Sequence, residues 1–91
     1  MTPEFALFAR RNGLAHSRVG ITTTRRLGKA VTRNRARRLV REAYRTHRKQ
    51  IPSGLDFVFV VRPPLLGHKP AELGSILVGA AHRALKESPE A

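Results

Sequence analysis

The sequence predicts a small α/β protein, an α+β sandwich. A small, mostly antiparallel sheet is packed with an arginine-rich helix and a C-terminal helix, in the order β-β-α-β-α. Three observations predict it. Two short runs near the N-terminus alternate apolar with small or polar residues, the period of a half-buried strand. A long basic segment keeps its apolar residues at helical spacing. A continuous apolar run and a second helix-spaced segment then complete the chain. No internal repeat or linker interrupts this order, so residues 1–91 are expected to form a single domain.

In the first run, Phe5–Arg11, Phe5, Leu7 and Ala9 fall on one face and Ala6, Phe8 and Arg10 on the other. Asn12-Gly13 is a strong turn signal. The second run, Arg18–Thr24, sets Val19, Ile21 and Thr23 against Gly20, Thr22 and Thr24, and the two runs read as a hairpin. Gly28 breaks the alternation, and a helix is expected from about Ala30 to about Gln50. At 100° per residue Leu39, Ala43, Ala36, His47, Val40, Ile51 and Tyr44 share an arc about 140° wide. The opposite side is almost entirely arginine. Pro52-Ser53-Gly54 ends this helix. Leu55–Arg62 (LDFVFVVR) is apolar on both faces, which suits a central strand, either covered on each side or flanked by neighbours. After the Pro63-Pro64 loop, Pro70 suits the first turn of a helix. From there Leu73, Ile76, Leu77, Ala80, Ala81, Ala84 and Leu85 recur at helical spacing. Beyond it, Ser88–Ala91 is expected to fray.

Composition narrows the function. Hydrophobic residues make up 41% of the chain, enough for a modest core, but not for a deep cleft between two domains. Eighteen Lys+Arg against six Asp+Glu give a formal charge of +12, a field whose usual complement is a polyanion. With aromatics at 5%, affinity must come mainly from charge and counterion release. A membrane surface is the rival polyanion, yet no segment approaches the roughly 18 apolar residues of a spanning helix. The absence of cysteine excludes disulfides and thiolate metal sites. A cytoplasmic, nucleic-acid-bound protein is the expectation.

Nine of the eighteen basic residues lie between Lys29 and Lys49, and the single acid among them is Glu42. A solvated helix ordinarily intersperses acids at i,i+4, so this one repels itself until an anion arrives. Arginine outnumbers lysine seven to two here. Its planar fork makes bidentate phosphate contacts and stacks on bases, which a lysine point charge cannot. Arg33 and Arg35 in the first turn would add the helix dipole and free N–H groups. A face kept merely for solubility would favour mixed signs and lysine. A DNA-reading helix would usually follow another helix, whereas strands precede this one.

The stretch from Arg18-Val19-Gly20-Ile21 through Arg25-Arg26-Leu27-Gly28-Lys29-Ala30-Val31-Thr32-Arg33-Asn34-Arg35 to Arg41-Glu42-Ala43-Tyr44-Arg45 resembles the signature of the bacterial ribonuclease P protein subunit. That family shows a V-G-hydrophobic strand, a basic pair, G-x-A-V-x-R-N-R, and R-E-A-aromatic. Gly54-x-Asp56-x-Val58 and Val60-Val61-Arg62-Pro63 resemble its next strand, and the likeness covers roughly Phe5 to Leu85. The resemblance implies a holoenzyme whose RNA subunit holds the active site and its magnesium ions; the protein binds no cofactor of its own. The expected partners are ribonuclease P RNA, at one protein per RNA, and the 5′ leader of precursor tRNA, with no membrane. Arg33, Asn34, Arg35, Arg37, Arg38 and Arg41 resemble the motif beside the catalytic RNA. Lys29 and Arg45 extend this face, and Arg25 and Arg26 match the basic pair. Phe8 matches a cleft-facing aromatic; with Arg10, Thr22 and Thr24 it would line the leader-binding cleft. The resemblance also implies a left-handed crossover through the basic helix. It implies a further helix ahead of the first strand, forming one wall of that cleft. Here Met1-Thr2-Pro3-Glu4 leads straight into the strand, so that helix is expected to be absent and the Phe8 face more exposed.

No protein-borne catalysis is expected. Glu4, Glu42, Asp56, Glu72, Glu87 and Glu90 are scattered along the chain, whereas a two-metal nuclease needs carboxylates converging on ions about 4 Å apart. His16, His47, His68 and His82 show neither ligand spacing nor a nucleophile partner, and a histidine-pair ribonuclease is a remote alternative. His47 falls on the apolar arc, where a satisfied core histidine is the default, and Asp56 is expected to be a structural pairing residue. The main rival is a ribosomal-type structural RNA-binding protein, with a ribosomal-protein-like sheet and basic helix; bulk charge does not separate the two.

Overall fold

The computed structural model describes residues 3–87. Strand β1 (Phe5–Arg11) is followed by β2 (Arg18–Thr22), helix α1 (Ala30–Thr46), β3 (Leu55–Val61) and α2 (Pro70–Glu87). The expected order β-β-α-β-α is observed. The tail expected to fray, Ser88–Ala91, lies outside the described residues.

The hairpin does not form. The sheet order is β1-β3-β2, so β3 inserts between the two N-terminal strands. It pairs antiparallel with β1 over seven positions and parallel with β2 over five, giving a mixed sheet. Asn12 shows why the turn signal misled. Its N–H donates to the Gly54 carbonyl at 3.0 Å, and its side-chain amide donates to Asp56 Oδ1 at 3.0 Å and the His16 carbonyl at 3.1 Å. The turn therefore fastens the end of β1 to β3 instead of folding β1 back on β2. Gly13 turns the chain with φ +73°, which glycine adopts at no steric cost. The centre goes to the strand richest in apolar residues, flanked on both edges as the run LDFVFVVR suggested, but only one of its faces is covered.

That covered face carries the core. Phe5, Leu55, Phe57, Phe59 and Val61 are buried against Ala36, Val40 and Ala43 of α1 and Leu73, Leu77, Ala80 and Ala81 of α2. Phe5 meets Phe59 edge-on at 5.2 Å, and Tyr44 of α1 meets Phe57 at 6.4 Å. The helices approach closely because Gly74 leaves room for a ring: a Cβ there would fall inside the His47 imidazole. His47 is half-buried and its Nδ1 lies 3.0 Å from the Ala43 carbonyl, the satisfied position expected of it. Helix α1 stops at Thr46, four residues short of the expected end. The Thr46 hydroxyl bonds back to the Glu42 carbonyl at 2.9 Å, and a 3-10 turn, Arg48–Gln50, leads to Pro52. At the start of α2, Pro70 takes the first helical position and the Lys69 N–H donates to Glu72 Oε1 at 3.0 Å.

Candidate nucleic-acid interface

Two exposed surfaces carry the residues that the sequence singled out. The first is the outer side of α1. Burying Ala36, Val40 and Ala43 inward forces the intervening arginines outward, a consequence of the 3.6-residue period alone. Asn34, Arg37, Arg38, Arg41, Glu42 and Arg45 line an open groove of about 390 Å³ on that side. Arg37 donates to Asn34 Oδ1 at 3.1 Å, and Arg45 pairs with Glu42 at 2.8 Å. Arg33 turns back and donates to the Gly28 carbonyl at 2.8 Å, bracing the helix start. The side chains of Arg35, Arg38 and Arg41 make no hydrogen bond or ion pair among the described residues. Three guanidiniums of the motif thus stand ready for an external anion. Lys29 precedes the first helical residue, and no side chain caps that end, so first-turn N–H groups add to the positive field.

The second surface is the open face of the sheet. The strand register sets three rows across it: Ala6, Val60 and Thr22; Phe8, Val58 and Gly20; Arg10, Asp56 and Arg18. Phe8 is 59% and Val58 42% exposed, so an aromatic ring and an apolar side chain face solvent beside a glycine. Arg18 holds Asp56 through two bonds, Nε at 2.7 Å and Nη2 at 2.6 Å. Those bonds, with the one from Asn12, hold the Asp56 carboxyl down at about 2. Asp56 is therefore the pairing residue expected, though it lies on the open face rather than in the core.

The structure places Phe8, Arg10 and Thr22 on one face, as the alternation indicated. Thr24 lies beyond β2, immediately before the 3-10 turn Arg25–Leu27, on which Arg25 and Arg26 are exposed and Leu27 is buried. The segment Thr23–Lys29 joins the sheet face to the arginine helix. Sequence reasoning left Arg18, Val58 and Val60 out of the face; the register of β3 would have supplied them, and the hairpin reading hid it. Among the described residues no group of three His, Asp or Glu side chains is arranged to hold a metal ion, and no helix is long and apolar enough to cross a membrane.

Known proteins share both the sequence and this architecture. The ribonuclease P protein component of Thermotoga maritima is 44% identical over 61 residues, covering 67% of this chain and 52% of its own length. That of Haemophilus influenzae is 45% identical over 62 residues, covering 67% and 51%. The chain spans about half the length of the curated relatives it matches. The solved ribonuclease P protein of Thermotoga maritima superposes with a TM-score of 0.82 at 32% identity, covering 91% of this chain and 79% of that one. The Staphylococcus aureus ribonuclease P protein gives 0.71 at 26% identity, covering 96% and 76%. The family model described as Ribonuclease P matches residues 1–85. The chain that presents this arginine helix and this open sheet face belongs to the ribonuclease P protein family.

Proposed function

We propose that this chain is the protein subunit of a cytoplasmic ribonuclease P, acting in the removal of 5′ leaders from precursor tRNA. The outer face of α1 would bind the catalytic RNA, and the open sheet face would bind the single-stranded leader. The observation that carries this reading is the groove of Asn34, Arg37, Arg38, Arg41 and Arg45, in which four arginines meet one carboxylate. Each phosphate neutralised changes the slope of log K against log salt by about 0.7–0.9, so four such contacts would give a slope near −3. On the sheet, Phe8 offers a stacking platform, Val58 and Gly20 a flat floor, and Arg10 and Arg18 a basic rim. Gly20 matters there because a side chain would rise between the strands where a base must lie flat.

The chain's own contribution is binding and orientation. Cleavage chemistry and its magnesium ions belong, in this proposal, to the RNA subunit, which supplies phosphate ligands in place of converging carboxylates. Reconstitution tests it. The chain with a ribonuclease P RNA should stimulate precursor tRNA cleavage at low magnesium, and the chain alone should cleave nothing. Arg35→Ala and Arg38→Ala should each weaken the stimulation without altering the fold. Metal-dependent, site-specific cleavage by the protein alone would overturn the proposal, as would a failure to stimulate the RNA.

A further inference from the structure

Beside the basic groove on α1 lies a second one of different character. Its walls are Arg35, Arg38 and Glu42, and its apolar floor is Leu39 together with Pro70 from the start of α2. At about 270 Å³ it is smaller than the roughly 300–1,000 Å³ of typical small-molecule sites, and it is open to solvent. Arg38 and Glu42 belong to both grooves and form the ridge between them. One side of the ridge is thus nearly all basic, and the other is a small apolar notch.

We infer that the notch formed by Leu39, Pro70, Arg35, Arg38 and Glu42 receives one unstacked nucleobase, preferably guanine, from an RNA strand whose phosphates lie in the arginine groove across the ridge. This rests on the RNA-binding reading above and gives it a base-level contact. A nucleotide has the matching bipartite chemistry: an anionic backbone and a flat apolar base, separated by one sugar. Leu39 packs against the core but is only half-buried, and Pro70 is exposed, so together they leave an aliphatic floor open to solvent. Arg35 and Arg38, unpaired among the described residues, present guanidinium planes that stack on a base.

Glu42 supplies the discrimination. It is the one acid between Lys29 and Lys49. Its Oε2 accepts from Arg45 at 2.8 Å, while its Oε1 has no partner among the described residues. Each carboxylate oxygen has two acceptor positions, so the group can still take two donors. Guanine offers two adjacent donors on its Watson–Crick edge, N1–H and the exocyclic amine, whereas adenine presents an acceptor at N1. Arg45 fixes the carboxylate's orientation, leaving it less rotamer freedom to lose on binding.

Nucleotide titration of the whole chain, followed by carbon-detected shifts of the Leu39 methyls and the Pro70 ring, tests the inference. With 5′-GMP both should move saturably, at about fivefold lower concentration than with 5′-AMP. Ribose 5-phosphate should move the Arg37, Arg41 and Arg45 side chains and leave Leu39 still. Glu42→Gln should abolish the GMP preference while the response to ribose 5-phosphate persists. Equal movement of Leu39 by ribose 5-phosphate would overturn the inference. So would a GMP preference that survives Glu42→Gln, or base-dependent shifts confined to Phe8 and Val58. The reconstitution assay above decides the ribonuclease P reading independently, since free nucleotides report on the notch alone.

Discussion

The two faces of β3 both carry apolar residues and end in opposite environments. Leu55, Phe57, Phe59 and Val61 point to the helices and are at most 1% exposed. Their neighbours Val58 and Val60 point the other way, and Val58 with Phe8 beside it stands largely in solvent. Period-2 alternation places every second side chain on each face, but it does not say which apolar face a helix will cover. Two helices are available, and both lie on the same side. The second apolar face is therefore surplus to the fold, and in the proposed function this exposed patch, rimmed by arginines, is the leader-binding surface.

The largest test of this contrast is Phe59→Ala. Removing a fully buried ring should cost about 3–5 kcal/mol, measured by denaturant unfolding. Gly74→Ala comes next, because the covered face depends on the helices meeting closely. A methyl inside the His47 ring should cost about 1–3 kcal/mol unless the imidazole swings out, which its nitrogen shifts would report. Phe8→Ala should change stability by only about 0.5 kcal/mol or less and instead weaken binding of a single-stranded leader RNA. A stability loss near that of Phe59→Ala would erase the distinction between the faces. The smallest effect is that of acid. The Asp56 pKa is lowered on folding from 3.8 to about 2, so its contribution is complete above about pH 4 and is lost as pH falls through about 2. Asp56→Asn should flatten that part of the stability profile, read from unfolding midpoints against pH, and free Arg18 on the open face.

Much of this was legible from residues alone. The arc of Ala36, Val40 and Ala43 predicted the buried side of α1, and with it the outward arginines, because helical periodicity is local. Phe8 and Arg10 were grouped correctly because alternation within a strand is also local, whereas Thr22 joins their face only through the register of β3 between the two strands. Strand order was not legible. The loop Asn12–Ser17 suits a hairpin, and only the distant partners Gly54 and Asp56 reveal that Asn12 ties β1 to β3 instead. The notch against Pro70 was hidden for the same reason, since Leu39 and Pro70 meet only once α2 has docked. The early end of α1 turned on side chains bonding to their own backbone, a competition that periodicity does not report.

In the proposed function the outward arginines of α1 serve RNA and not the fold. The most direct measurement is the salt dependence of binding to a ribonuclease P RNA for the wild-type chain and for Arg38→Ala, alongside both unfolding midpoints. Loss of one phosphate contact should reduce the magnitude of the log–log slope by about 0.7–0.9 while the midpoint stays unchanged. An unchanged slope, or a midpoint lowered as far as by Phe59→Ala, would contradict it.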